Sequence, residues 1–500
     1  MRSAMTRVSR RSVLAALAGG VVIPALQACG GAPPSPTAAP AKPAETKPAE
    51  TKPAAPAAAT TTTAAKPAAS AAKIEILLWP RSTADEAVFK DIAGLVEQKG
   101  LGVLVKLETP PDAIYDKLQV ALAGNVAPDT TVINMPWGIP LMTKGMWRNL
   151  KDYLKGDTDT QKILNDDFAK PAIQSYTFRG DLHAVPVTSE SIVLWYNEDM
   201  LKAAGLTLPA EIEDDPTKWN WNTLLEYGQK LTKGKGRDRE SYGISVYGAP
   251  GDYGLQGGWG NLVYSNGGRI VSDDGEKWVL NSPEGREALQ YTLDTFTKHD
   301  VAPAADTTSN ATANTARTLF QAGKLGLIFD GEFYRRSLFG PRAPKEGIPF
   351  KWNLAQLPFA PKTGKRGMVY HTLALPITKD SKNPEAVWKF FSVFVTKDAQ
   401  QFITDKWGSR AANTKTYEPW LKANAGGGPV ANWAAITKAD AHGLPFPVSP
   451  YLESKALLET HSRVLYDVVF QGKQSLEEGL AEIDKETNAR LEKAVKELKK

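Results

Sequence analysis

Glu190-Ser191-Ile192-Val193-Leu194-Trp195-Tyr196-Asn197 reads as a buried strand with a carboxylate at its entrance. Its apolar residues run without a break, are rich in β-branched and aromatic types, and end at polar neighbours on both sides. Similar short runs stand at Ile74 to Trp79, Val103 to Leu107, Thr131 to Met135, and Leu325 to Phe329. Segments with helical spacing lie between several of them. Ser282 caps a start with Pro283 in the first turn, and Leu289, Leu293 and Phe296 follow at intervals of four and three. Asn383-Pro384-Glu385 opens a second helix with Val387, Phe391 and Phe394 on one face. Ser475 and Glu478 form a capping box before Leu480, Ile483, Leu491, Val495 and Leu498. Strands alternating with helices predict an α/β fold with parallel sheets covered on both faces. Residues 73–500 are too many for one ordinary core and predict two lobes.

The start of the chain has a different character. Ser9-Arg10-Arg11-Ser12 precedes a weakly polar Ala/Leu/Gly/Val stretch, which ends in Leu26-Gln27-Ala28-Cys29. A basic region, a short apolar core and small residues before a cut are the layout of an export signal. The paired arginines resemble the twin-arginine export signal, and the run to Cys29 resembles the lipobox of bacterial lipoproteins. Residues 1–29 are therefore expected to export the chain, and the thiol of Cys29, the one cysteine in 500 residues, to carry a lipid. Residues 30–72 hold Ala, Pro, Thr, Lys and Glu almost exclusively, with Lys-Pro-Ala-Glu-Thr repeated from Lys42 and from Lys47. Lacking large apolar side chains, this segment cannot offset its ordering entropy by burial, and it reads as a disordered tether. The expected location is extracytoplasmic, tied to the cell membrane.

Net charge must be divided by segment. The whole chain carries +5, of which residues 1–29 supply +4 and the tether +2, leaving −1 for residues 73–500. A near-neutral body argues against a nucleic-acid partner, which needs a basic face. Without cysteine, the body has no disulfide, no thiolate metal site and no cysteine nucleophile.

Catalytic signatures are absent. There is no Gly-x-Ser-x-Gly elbow, no phosphate-binding Gly-x4-Gly-Lys-Ser/Thr loop and no dinucleotide glycine fingerprint. His183, His299, His371, His442 and His461 are scattered, with no His-Glu-x-x-His pair. No cofactor and no metal are expected. A glycosidase stays open, because its two carboxylates come from distant loops and leave no local spacing.

Aromatic residues do gather near polar groups at strand ends. Trp79 precedes Pro80-Arg81-Ser82-Thr83, Trp137 follows the strand expected at 129–135, and Trp259 lies in Gly257-Gly258-Trp259-Gly260-Asn261. Glu190 stands at the entrance to its strand, and Asp330-Gly331-Glu332-Phe333-Tyr334 leaves another. Ligands of open parallel sheets sit outside the carboxyl ends of strands. A flat ring beside carboxylate and amide groups suits a sugar, whose C–H face stacks while its hydroxyls find partners.

From Lys73 nearly to its end the chain resembles the extracellular solute-binding proteins of ABC importers, in the carbohydrate-binding branch that includes maltose-binding protein. The resemblance is carried by Gly124-Asn125-Val126-Ala127-Pro128-Asp129, by Leu182-His183-Ala184-Val185-Pro186-Val187, and by Leu194-Trp195-Tyr196-Asn197-Glu198-Asp199-Met200-Leu201. Trp219-Asn220-Trp221, Phe320-Gln321-Ala322-Gly323-Lys324 with Asp330-Gly331, and Ser381-Lys382-Asn383-Pro384-Glu385-Ala386-Val387-Trp388-Lys389-Phe390 follow in order. It implies a two-lobed, type II-like periplasmic-binding-protein fold with an interlobe ligand cleft. Crossings are expected near 187–190, 350 and 398, giving one lobe from 73–187 and 351–397 and a second from 188–350 and 398–500.

The implied ligand-binding residues are Trp79, Arg81, Trp137, Glu190, Trp259, Asp330, Phe333, Tyr370, His371 and Arg410. Phe333 stands where relatives usually stack a tryptophan. Tyr370-His371 replaces a small Gly-rich stretch, and Arg410 matches a loop that often contributes an arginine. The implied role is the binding component of an importer, acting as a monomer, which captures a sugar or oligosaccharide and passes it unaltered to the membrane permease. A secreted glycan-acting hydrolase, a structural surface lipoprotein, and a receptor for a non-sugar solute are the competing readings. A phosphate or carboxylate ligand would need clustered arginines, whereas Arg81 and Arg410 stand far apart in sequence.

Overall fold

Ile74–Trp79 is the middle strand of a three-stranded sheet, with Val103–Leu107 on one side and Thr130–Thr131 on the other, both parallel to it. The computed structural model describes residues 72–498 apart from 111–113, 237–238, 247–251, 304–310, 339–343, 426–431, 454–459 and 470. The export signal, Cys29 and nearly all of the tether lie outside the described residues.

Helix Thr83–Gln98 covers the first sheet, held at its start by Ser82, whose hydroxyl accepts from the Asp85 amide. Val88, Phe89, Ile92 and Val96, spaced three and four apart, give this helix its buried face. A second small sheet sets Leu373–Pro376 between Ile133–Asn134 and Ala184–Pro186, antiparallel to both. These elements build the first of two lobes. The other lobe has a four-stranded sheet in the order Trp352–Ala355, Ile192–Asn197, Leu325–Gly331, Tyr242–Ser245. Every residue of Ile192–Asn197 and of Leu325–Gly331 is buried, as unbroken apolar runs require.

Two expectations about the sheets need correction. Only the first sheet is wholly parallel; the second is antiparallel and the four-stranded one is mixed, where Ile192–Asn197 runs antiparallel to both Leu325–Gly331 and Trp352–Ala355 and only Leu325–Gly331 with Tyr242–Ser245 is parallel. Ile192–Asn197 is joined to each of these neighbours through a long stretch of chain and not through one βαβ unit, so parallel pairing is not imposed. The strand expected over 131–135 is split. Thr130–Thr131 pairs with the first sheet, Ile133–Asn134 with the second, and Met135 opens helix Met135–Thr143. Pro136 has no amide hydrogen for a ladder, and its fixed φ suits a first helical turn.

The helix starts follow the local chemistry. Ser282 accepts from the Gly285 amide ahead of helix Pro283–Thr297. Ser475 and Glu478 exchange hydrogen bonds of 3.0 and 3.2 Å before helix Leu476–Leu498. Leu480, Ile483, Leu491 and Val495 of that helix are buried, while Leu498 is exposed. Asn383 does not cap helix Pro384–Phe394; its amide reaches the Glu75 carbonyl instead.

Three extended segments meet side by side around residues 187–190, 371–373 and 410–412. Glu190 and His371 exchange backbone hydrogen bonds, the Val187 amide donates to Leu373, and the Ala412 amide donates to Val187. Trp352–Ala355 completes the four-stranded sheet, and helix Lys397–Trp407 packs on helix Thr83–Gln98 through the Phe89–Trp407 ring contact. Gly408 ends helix Lys397–Trp407 at φ +64°, where a Cβ would collide with the Arg335 guanidinium at 1.8 Å.

Candidate functional site

Glu190 is the centre of a cluster drawn from both lobes. Its carboxylate is buried, accepts from His371 Nδ1 at 2.6 Å, and lies 3.6 Å from Arg336 Nη2. Burial works to raise this carboxyl, but the His371 hydrogen bond and the charges of His371, Arg336 and Arg81 outweigh it and hold it below the ordinary value. His371 is the partly open member, with its ring 6.5 Å from both Phe333 and Phe446 and edge-on to each. Arg336 also donates to Ser409 Oγ at 2.7 Å, while its buried Nε has no partner among the described residues.

The loop after Ile74–Trp79 supplies the facing groups. Arg81 pairs with Asp85 at 2.7 Å and sits 5.7 Å above the Trp407 ring. Trp137, on the first turn of its helix, stacks on Tyr115 with centroids 5.2 Å apart and planes 15° apart. Burial raises the Tyr115 hydroxyl above its usual range, against the opposing pull of Arg81 beside it. Trp79 is half-buried, and its indole Nε1 is a buried donor without a partner among the described residues.

Phe333 is half-buried in the short turn Glu332–Tyr334, with Arg317 5.7 Å over its ring. Asp330 is not open to a ligand in the same way: it is 1 % exposed and held by Arg317 through bonds of 2.6 and 2.7 Å.

Arg410 occupies a different environment. It is fully buried and donates from Nε to Glu332 at 2.8 Å, from Nη1 to Asp440 at 2.6 Å and from Nη2 to Ser191 at 2.8 Å, with the Tyr417 ring 4.6 Å away. Glu332 is pushed up to about 7, first by burial and then by the nearby charges of Glu190 and Asp440, with Arg410 opposing. Tyr370 is also fully buried, its hydroxyl bonded to Ser189. Trp259 is 2 % exposed and lies 6.5 Å from the His461 ring, inside the second lobe.

The structure thus gathers Arg81, Glu190, Phe333 and His371 in one place, with Trp79 and Trp137 on the adjoining strand end and helix. It sets Tyr370 and Arg410 behind them and encloses Trp259 and Asp330. Sequence reasoning missed Arg336, Tyr115 and Phe446. Arg336 was within reach, three residues past Phe333 on the same turn, whereas nothing in the spacing of Leu444-Pro445-Phe446-Pro447 marks Phe446. No group of three or more His, Cys, Asp or Glu side chains is placed to hold a metal among the described residues. Among the same residues, no helix is long and apolar enough to cross a membrane.

Comparison with known proteins matches this architecture. A binding protein of Brucella abortus (strain 2308) is 23 % identical over 347 residues, covering 69 % of this chain and 77 % of that protein. The maltooligosaccharide ABC transporter solute-binding lipoprotein of Streptococcus pneumoniae is 23 % identical over 322 residues, 64 % of this chain and 68 % of its own length. An ABC substrate-binding protein of Listeria monocytogenes, solved in complex with cycloalternan, superposes with a TM-score of 0.65 at 21 % identity, covering 83 % of this chain and 98 % of that one. The family description "bacterial extracellular solute-binding protein" matches residues 80–401, well over half of the chain. With its two-lobed fold and a polar cluster built from both lobes, this chain belongs to the bacterial extracellular solute-binding protein family.

Proposed function

We propose that the chain is the receptor component of an ABC importer, and that it holds a sugar or oligosaccharide between its lobes and hands it over chemically unchanged. The observation that carries this reading is the convergence on Glu190. Arg81 comes from the first lobe, Arg336 and Phe333 from the second, and His371 from the crossing segment. Donors without partners, Trp79 Nε1 and Arg336 Nε, suit the oxygen-rich surface of a sugar. Phe333, His371 and the Tyr115–Trp137 stack supply flat faces. Named relatives that bind maltooligosaccharide or cycloalternan support the same ligand class.

A hydrolase reading gains less. Glu190 is buried against His371 and Arg336 with its carboxyl held below the ordinary value, and Glu332 is sealed against Arg410, so neither is placed as an accessible acid. The first lobe would comprise residues 73 to about 187 with the return segment, and the second the sheet around Ile192–Asn197 with the C-terminal helix. Export, lipidation at Cys29 and docking on a permease belong to the same proposal. Residues 30–72 would then act as the spacer.

A ligand that touches both lobes can favour the closed form only through its differential affinity, about 1.4 kcal/mol for each tenfold. Thermal-shift screening of the mature chain against mono- and oligosaccharides tests the ligand class, because a ligand bound by the folded state alone raises stability with concentration. Absence of any shift across the panel would remove the carbohydrate reading. Metabolic labelling with a fatty acid, lost in Cys29→Ser, tests the anchor.

A further inference from the structure

Residues 445–453 touch both lobes, and they are fastened to them unequally. Three prolines, Pro445, Pro447 and Pro450, fix φ along the run and stiffen it. On the second lobe, Tyr264 of helix Trp259–Ser265 donates to the Pro445 carbonyl at 3.3 Å. Ser449 is fully buried, donates to the Gly275 carbonyl at 2.7 Å and accepts from the Tyr451 amide at 3.1 Å. Gly275 stands at φ +73°, and a Cβ there would meet Pro450 Cδ at 2.3 Å, so the run lies directly against bare backbone.

The first lobe is held by contacts of another kind. Thr143, the last residue of helix Met135–Thr143, donates to the Pro450 carbonyl, Lys144 pairs with Glu453 at 2.6 Å, and Phe178 meets Tyr451 edge-on with centroids 6.1 Å apart. Lifting the run off Gly275 breaks a buried hydrogen bond and a close fit. Parting it from the first lobe costs far less. The Lys144 and Glu453 side chains are already 34 % and 48 % exposed, so water receives both charges. Phe178 and Thr143 are half-buried, and the Thr143 hydroxyl also lies 3.1 Å from the Pro140 carbonyl of its own helix, an acceptor that remains when Pro450 leaves. The asymmetry decides which side lets go: the run travels with the second lobe and releases the first.

We propose that residues 445–453 are a latch, which grips Thr143, Lys144 and Phe178 only when the lobes are shut and so favours the closed form before any ligand arrives. The inference rests on the two-lobed receptor reading and adds regulation to it, without adding a contact to the sugar. Contacts made in the closed form alone multiply the ratio of closed to open molecules. While the open form predominates, they multiply the affinity for whatever the cleft holds by the same factor. A surface ion pair, a carbonyl hydrogen bond and an edge-on ring contact each change such a ratio by roughly two- to tenfold.

Small-angle X-ray scattering of the unliganded mature chain reads the latch without reference to any ligand. Lys144→Glu sets two like charges against each other at Glu453 and should give a larger radius of gyration than the wild type, with an unchanged Tm because both side chains lie at the surface. Lys144→Glu combined with Glu453→Lys restores the opposite charges and should return the wild-type radius, and Thr143→Ala should open the chain to a smaller extent. Maltotriose affinity by calorimetry should fall roughly three- to tenfold in Lys144→Glu and recover in the charge-swapped pair. Scattering that is the same in the wild type and Lys144→Glu, or that the charge swap fails to restore, would overturn the latch. If maltotriose binds none of these proteins, the receptor reading fails for this sugar while the scattering still decides the latch.

Discussion

Glu190 and Arg410 stand close to one another at the meeting of the two lobes, yet they belong to opposite kinds of polar cluster. Around Arg410 the guanidinium is fully buried and each of its nitrogens has an acceptor among Glu332, Asp440 and Ser191. Around Glu190, His371 keeps an open edge, Arg336 keeps an unmatched Nε, and Arg81 and Phe333 are only partly covered. A closed network of charges braces a structure; an open one awaits a further partner. Residue type does not separate the two, since each is an arginine–carboxylate group. Burial and the number of unmatched donors do.

The largest expected effect breaks the closed cluster. Arg410→Ala leaves Glu332 and Asp440 buried together without their cation. It should cost about 3–5 kcal/mol in urea unfolding, or prevent folding. An equally stable variant would show that the network is no brace.

The pH dependence of stability probes the same cluster. Glu332 titrates near 7 in the folded chain and near the ordinary 4.5 when unfolded, so the folded state binds the extra proton between those values. Stability contributed by this group is full below about 4.5 and is lost as pH rises through 7, on the order of 3 kcal/mol. Melting temperatures from pH 5 to 8 should fall in the wild type and flatten in Glu332→Gln. Parallel slopes in the two proteins would contradict the assignment.

The open cluster should respond in binding more than in stability. Glu190→Gln keeps the shape of the side chain but removes the charge that orients His371 and Arg336. At least a tenfold loss of sugar affinity, about 1.4 kcal/mol, is expected by calorimetry. Trp79→Ala should act similarly; unchanged affinity in both variants would take these residues out of the site. The smallest expected effect is local and serves as a control. Ser282→Ala removes the cap accepting from Gly285 and should cost about 1 kcal/mol of stability without altering binding.

The parts of the fold that depend on neighbours in sequence were legible. Ile74–Trp79 and Val103–Leu107 fall where the apolar runs begin and end, and helices start at Pro283 and Leu476 after their capping residues. Strand direction was not legible, because whether Ile192–Asn197 runs parallel or antiparallel is decided by partners more than 130 residues away. Proline at 136 could have warned that the run from Thr131 would not stay a strand. A strand-end rule selected Trp79, Glu190 and Phe333, of which Glu190 and Phe333 lie around His371, and it also selected Trp259, which is enclosed. Arg410 shows the reason most plainly. Its match to a loop that often contributes an arginine suggested a ligand contact, and only tertiary packing covers it completely. Arg336 and Tyr115 were missed because each acts through a partner distant in sequence.

The proposed sugar lies between the lobes against the Glu190 cluster. A crystal structure of the mature chain grown with the best-binding oligosaccharide of the thermal-shift panel tests it most directly. The account predicts sugar density touching the Trp79–Arg81 segment on one side and Phe333, Arg336 and His371 on the other. Density confined to one lobe, or a cleft filled by a molecule without hydroxyl groups, would contradict it.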